Sequence, residues 1–149
     1  ADVISEKLGL VGSPSLVNPS ILASLETSGI IPVIAPVGAS FSGKTLNING
    51  DTMAGAIAAA MGAARLLLLT DVVGVLEKAG NLIPEVSLKQ AEALKADGTI
   101  SGGMIPKLET CASAVQAGVE AAVILDGRIE GAVIVELLSQ AGAGTLIKE

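Results

Sequence analysis

The sequence predicts an α/β domain of three layers around a mostly parallel sheet. Short apolar runs at 31–36, 65–70 and 121–125 have the length of buried strands. Between them lie longer stretches with helical spacing and recognisable caps. Strand and helix alternate along the chain, the pattern of a parallel sheet with helices on its faces. The 149 residues read as a single domain, 1–149, large enough to bury a core. Half of them are apolar, yet Phe41 is the only aromatic residue, so Leu, Ile, Val and Ala must fill that core.

Residues 8–12 and 15–17 read as two short strands joined by a turn through Ser13 and Pro14. Asn18 caps a helix with Pro19 at its first position, running to about Ser28. Ile21, Leu22 and Leu25 would form its buried face, and Gly29 ends it. The run 31–36 reads as a buried strand with Pro32 at its start. Residues 37–42 read as a loop, and 46–49 lead to Asp51 at the start of an Ala-rich helix reaching Met61. A buried strand at 65–70 follows, then a turn over 71–76 and a polar loop over 77–81. Ser87 and Gln90 fit a capping box for a helix to about Ala96. The end of the chain reads as a strand at 121–125, a helix at 131–139 and a strand at 145–148.

The stretch Ile100-Ser101-Gly102-Gly103-Met104-Ile105-Pro106-Lys107 carries the most chemistry. Two glycines let backbone amides approach a ligand. A helix starts here and runs to about Gln116, with Pro106 in the first turn, where its missing N–H costs nothing. Lys107 sits where a helix N-terminus attracts an anion, although a cation there does not help the helix. Amides and a lysine converging on one phosphate explain the arrangement; a solvated lysine after a tight turn also fits it.

Five strings follow one another along the chain: Asn47-Ile48-Asn49-Gly50-Asp51, Leu69-Thr70-Asp71-Val72-Val73-Gly74-Val75, the glycine stretch, Ile124-Leu125-Asp126-Gly127-Arg128, and Gly142-Ala143-Gly144-Thr145-Leu146-Ile147. Their order and spacing resemble the acetylglutamate kinases of the amino acid kinase family, over residues 8–148. The resemblance implies the nucleotide-binding, C-terminal part of such an enzyme. The family's N-terminal part, with its Gly-rich loop and second lysine, is expected to be absent, and a start without methionine fits a fragment. The implied activity is ATP-dependent phosphorylation of the γ-carboxylate of N-acetylglutamate in arginine biosynthesis. A non-catalytic or engineered nucleotide-binding domain is the alternative.

By this resemblance Lys107 and Asp51 are catalytic, the lysine on phosphate and the aspartate orienting it. Read alone, Asp51 is a helix cap. Asn47 and Asn49 fall to the acetylated amino acid; read alone, Asn47 is a loop residue bonding its own backbone. Thr70, Asp71, Gly74, Gly102, Gly103 and Met104 fall to the nucleotide, with Mg²⁺ entering through the phosphates. Thr70 and Asp71 also stand at the carboxyl end of a strand, where open α/β sheets bind ligands. By this resemblance Gly131 and Leu138 stand where arginine-inhibited relatives carry histidine or asparagine and phenylalanine, a departure that puts that regulation in doubt.

Composition narrows the remaining classes. Histidine is absent, which removes an imidazole base or ligand. Cys111 is the sole cysteine and reads as a small buried helix residue, and no protein-built metal site is expected. The net charge of −6 disfavours nucleic acid as a partner. No run of 18 apolar residues suggests a membrane span, and the first residues lack signal-peptide character, so the cytoplasm is the expected compartment. The partners implied are a nucleotide and, with the absent half supplied, N-acetylglutamate; self-association is left open.

Overall fold

The computed structural model describes residues 1–149, apart from the side chain of Glu6. The chain divides into two compact units, Ala1–Gly62 and Ala63–Glu149.

The first unit contains β1 (Asp2–Val3), β2 (Val11–Ser13), α1 (Ser20–Thr27), β3 (Val37–Ala39), β4 (Thr45–Ile48) and α2 (Gly50–Met61). Its sheet has the order β1-β2-β4-β3, with β2 and β4 parallel and both outer pairs antiparallel. Leu46 and Ile48 alternate inward from β4 and are buried. The expected hairpin of 8–12 with 15–17 is not formed. β2 pairs back to β1 instead, with Val3 opposite Gly12, and Pro14 ends the ladder one residue after β2.

Helix α1 starts one residue later than expected, with Pro19 at the cap position and Ser20 first, while the Asn18 side chain accepts from the Ser20 N–H at 3.1 Å. Its expected buried face is absent. Ile21 is 69% exposed, Leu22 and Leu25 are only half-buried, and no α1 residue is buried. The expected strand at 31–36 is also absent, and Ile31 and Val33 are almost fully exposed. Apolarity predicted burial at both places, but burial needs a covering element, and the unit supplies none. Two prolines, Pro32 and Pro36, further remove donors that a ladder would use. Helix α2 is capped by Asn49, whose Oδ1 accepts from the Thr52 N–H at 3.1 Å. Asp51 therefore lies in the first turn of α2 and is not its cap.

The second unit contains β5 (Arg65–Thr70), β6 (Glu85–Ser87), α3 (Leu88–Ala96), α4 (Met104–Gln116), β7 (Ala121–Asp126), α5 (Ala132–Leu138) and β8 (Gly144–Lys148). Its sheet has the order β5-β7-β8-β6. All six residues of β7 are buried, as a strand covered on both faces requires. Val123 and Leu125 cluster with Ala132 at the start of α5, together with Leu67, Val133 and Leu146. Alternation turns Ala122 and Ile124 to the opposite face, where α4 packs on β7 and β8. Helix, sheet and helix thus form three layers in this unit. Buried Leu108, Cys111, Ala112 and Val115 give α4 its inward stripe.

The α/β class is as expected, but the sheets are mixed. In the second unit β5·β7 and β6·β8 are parallel, whereas β7·β8 is antiparallel. A parallel return must carry the chain back along β7, about 20 Å for six residues. The seven residues of α5 rise only about 10 Å, so the chain re-enters the sheet near the end it left. Helix α3 carries both halves of its capping box: the Ser87 Oγ accepts from the Gln90 N–H, and the Gln90 Oε1 accepts from the Ser87 N–H.

Candidate functional site

Strands β5 and β7 end together. Thr70 is in register with Asp126, and the Gly127 N–H donates to the Thr70 carbonyl at 2.8 Å. Asp71 follows immediately, its Oδ1 accepting from the Thr70 hydroxyl at 3.2 Å. Helix α4 leads through a four-residue link into β7. Thirteen residues of helix and six of strand each span about 20 Å, and α4 packs on β7. The start of α4 therefore lies level with the strand ends. Gly102, Gly103, Met104 and Lys107 are thus brought to the same edge of the second unit as Thr70 and Asp71. Asn47, Asn49 and Asp51 stand in the first unit, at the end of β4 and the start of α2.

Ser101, Gly102 and Gly103 turn into α4, with the Met104 N–H donating to the Ser101 carbonyl and the Ile105 N–H to the Gly102 carbonyl. Gly102 takes φ +56°, a left-handed conformation that glycine adopts without cost. No side chain caps α4. The Met104 and Ile105 amides are taken within this turn and Pro106 has none, so the N–H groups of Gly102 and Gly103 just before the helix are the ones an external acceptor such as a phosphate could meet. Pro106 is the third helical residue, where its missing N–H removes nothing from the helix ladder. Lys107 is half-buried in this turn.

Gly74 has a packing requirement of its own. A Cβ there would come within 2.6 Å of the Thr145 Oγ1 and 2.8 Å of the Leu82 Cδ1. Thr145 is fully buried; its hydroxyl accepts from the Val75 N–H at 2.8 Å and donates to the Ile83 carbonyl at 2.7 Å. One side chain thus fixes the path of the chain leaving the Thr70–Asp71 corner. Sequence reasoning quoted Thr145 in a string and gave it no role.

It also gave none to Asp126 and Arg128. Asp126 is 4% exposed at the end of an otherwise apolar strand. Its Oδ1 accepts from the Arg128 backbone N–H and Nε, each at 2.9 Å, and its Oδ2 accepts from Nη2 at 2.8 Å. This bidentate grip, with the backbone bond, holds the Asp126 carboxyl down at about 2, against the opposing effect of burial. Asp126 and Asp71 both raise the pKa of the Arg128 guanidinium. A carboxylate closing an all-apolar strand was the available signal.

Because the folded-state value of Asp126 lies below the ordinary 3.8, its contribution to stability is present above about pH 4 and lost as pH falls to about 2. Asp126→Asn should therefore unfold at lower urea than the parent at pH 6, and the difference should shrink by pH 2. An equal difference at both pH values would show that the ionised pair is not what the substitution removes.

A cavity of about 580 Å³ opens between the 77–83 turn and α3, lined by Lys78, Ile83, Gln90, Leu94, Asp97 and Thr99 among others. Thr99 connects it to the glycine stretch, and its N–H is held by the Asp97 Oδ1 at 2.8 Å. None of the residues expected to contact nucleotide lines it.

The amino acid kinase family matches residues 1–126 of the chain. The acetylglutamate kinase of Parvibaculum lavamentivorans is 65% identical over 142 residues, which cover 95% of this chain and 47% of that protein. The acetylglutamate kinase of Rhodospirillum centenum is 61% identical, covering 94% of this chain and 46% of its own length. Among solved structures, N-acetylglutamate synthase from Neisseria gonorrhoeae, complexed with coenzyme A and N-acetylglutamate, superposes with a TM-score of 0.88 at 26% identity. That alignment covers 94% of this chain and 32% of the synthase chain. The chain spans about half the length of the curated relatives it matches.

Proposed function

The chain belongs to the amino acid kinase family, and we propose that it is the ATP-binding part of a kinase acting on the γ-carboxylate of N-acetyl-L-glutamate, a cytoplasmic step of arginine biosynthesis. In this reading residues 1–149 act as one nucleotide-binding domain. The relatives' names support the substrate. The observation that carries the nucleotide is the convergence of the uncapped α4 N-terminus, its two glycines and Lys107 with Thr70 and Asp71 at one sheet edge. The glycine amides before α4, a helix dipole and an ammonium suit the outer phosphates of a nucleotide. Bound Mg²⁺ would arrive on those phosphates, keep most of its waters and neutralise charge during transfer.

Lys107 would stabilise charge on the transferred phosphoryl group, and Asp51 would orient the lysine. Asn47 and Asn49 would meet the acetylated amino acid. The Asn49 carboxamide oxygen already accepts from both the Thr52 N–H and the Thr52 hydroxyl, so its amide nitrogen is the group left for substrate. Half a family-length chain would supply only part of the phosphate clamp, so the 149 residues alone should bind nucleotide weakly and turn over none. The rival reading, a nucleotide-binding module without catalysis, draws on the same half length.

Calorimetric titration tests the nucleotide site. Lys107→Ala should weaken ATP binding about tenfold, the scale of one lost charge-assisted contact. AMP binding should change little. Equal losses for ATP and AMP, or no binding by the folded parent at millimolar nucleotide, would count against the reading.

A further inference from the structure

The chain contains the asparagines Asn18, Asn47, Asn49 and Asn81, and their successors set how each amide ages. An asparagine loses its amide when the backbone nitrogen of the next residue attacks its side-chain carbonyl carbon. A side chain on that next residue obstructs the attack. Pro19, after Asn18, has no N–H to give up, and Ile48 and Leu82 are bulky. Asn49 alone precedes a glycine, Gly50, which has no Cβ. Both residues are exposed, and a Cβ at Gly50 would meet nothing within 4 Å, so the surroundings do not shield its nitrogen. As the first residue of α2, Gly50 has no carbonyl within the helix for its N–H to bond.

Conformation is what holds the reaction back. Asn49 caps α2 with φ −60° and ψ 134°. In that extended backbone the Gly50 nitrogen is turned away from the Asn49 side chain, whereas ring closure requires it to swing underneath. The side chain is also pinned: its Oδ1 accepts from the Thr52 N–H at 3.1 Å and from the Thr52 hydroxyl at 3.3 Å. Attack therefore waits for the first turn of α2 to open, a local event that does not require the whole chain to unfold.

We propose that Asn49–Gly50 is a site of spontaneous deamidation gated by the cap of α2. When the turn opens, the Gly50 nitrogen bonds to the Asn49 Cγ. Its proton passes through water to the side-chain nitrogen, which leaves as ammonia. One water then opens the cyclic imide. Opening at Cγ gives aspartate on the normal backbone; opening at the backbone carbonyl gives isoaspartate, in which the chain runs through the former side chain. The net change is one water taken up and one ammonia released, with nothing oxidised or reduced. Aspartate caps a helix as well as asparagine does, and its charge is favoured at a helix N-terminus, so α2 survives that branch. Isoaspartate lengthens the backbone by a methylene and removes the cap. Either product puts a carboxylate where the neutral amide stood, two residues before Asp51. At a position proposed to meet the acetylated amino acid, that anion repels the substrate's own carboxylates; this consequence alone rests on the proposed function.

Peptide mass mapping tests it. The folded 149-residue chain is aged in mildly alkaline buffer, digested and sequenced by tandem spectra. Conversion of amide to acid is expected at Asn49, in aspartyl and isoaspartyl forms, with Asn47 intact. Gly50→Ala should slow it by about tenfold or more, about 1.4 kcal/mol on the barrier. Unfolding in urea should speed it by about fivefold or more, the ratio that a cap worth about 1 kcal/mol sets between closed and open turns. Asn49→Asp, the product of the first branch, should unfold at nearly the same urea concentration as the parent. An Asn49 still intact in the folded chain after the unfolded chain has converted would overturn the inference. So would equal rates in the two states, conversion indifferent to Gly50→Ala, or marked destabilisation by Asn49→Asp. In a full-length kinase carrying this chain, unchanged turnover with Asn49→Asp would instead count against the substrate role given to Asn49.

Discussion

Gly144→Ala should destabilise the second unit by about 3 kcal/mol, near the upper end for overpacking. Gly144 pairs with Leu125 across the antiparallel β7·β8 ladder. A Cβ at this position would lie on the Ile124 carbonyl and within 2.8 Å of the Leu125 Cβ. Neither obstacle is the end of a flexible side chain, so β8 would have to move. Moving it displaces Thr145, whose hydroxyl satisfies two buried backbone groups. A buried donor or acceptor left without its partner costs about 1–3 kcal/mol, which adds to the steric cost. Gly103→Ala is the matched control. A Cβ there meets nothing within 4 Å, and its φ of −68° suits alanine. Urea unfolding should place that variant within about 0.5 kcal/mol of the parent. Near-parental stability of Gly144→Ala would mean that β7 and β8 pack less closely than the structure has them.

The same region shows how far local sequence reaches. Helices α2, α3 and α4 were legible because their signals lie within a few residues: Ser87 with Gln90, and the glycines before Met104. Strand β7 was legible because it is apolar throughout and sits at the centre of its sheet. The run 31–36 has the same composition and the opposite environment. Composition states what would gain from burial; it does not state whether a cover is present. Strands β1, β3 and β4 were missed because two to four residues carry almost no periodicity. The antiparallel entry of β8 was hidden in the length of α5, which alternation alone does not weigh.

At the candidate site the strand end and glycine stretch were legible for a similar reason, since each is a contiguous motif. The Asp126–Arg128 grip spans only two positions but looks like an ordinary turn until the burial of Asp126 is known. Thr145 was beyond reach. Its partners Val75 and Ile83 are 70 and 62 residues away, and only the sheet order brings them together. Gly74 belongs with it: the space beside that glycine is filled by the threonine hydroxyl. Thr145 therefore fixes the backbone between the Thr70–Asp71 corner and the turn at 77–83.

The largest functional effect is expected at Lys107 in a full-length enzyme. A full-length test protein is built by exchanging this chain for the matching half of the Parvibaculum lavamentivorans acetylglutamate kinase, to which it is 65% identical over 142 residues. There Lys107→Ala should lower acetylglutamate-dependent ATP turnover by about 10²–10³-fold, the usual cost of one preorganised group facing transition-state charge. The loss should fall mainly on kcat. Negative charge moves toward the leaving and transferred oxygens during the reaction, so the ammonium interacts more strongly with the transition state than with bound ATP. Lys107→Arg should recover little, since a planar fork places its charge differently from a compact ammonium. Stability separates this from a structural role. The unfavourable helix-dipole contribution of a cation in the first turn of α4 is only a few tenths of a kcal/mol, so a catalytic role predicts a turnover loss far larger than any change in stability. A turnover loss accompanied by marked unfolding, or a loss carried by KM alone, would assign Lys107 to the fold or to ground-state binding and away from phosphoryl transfer.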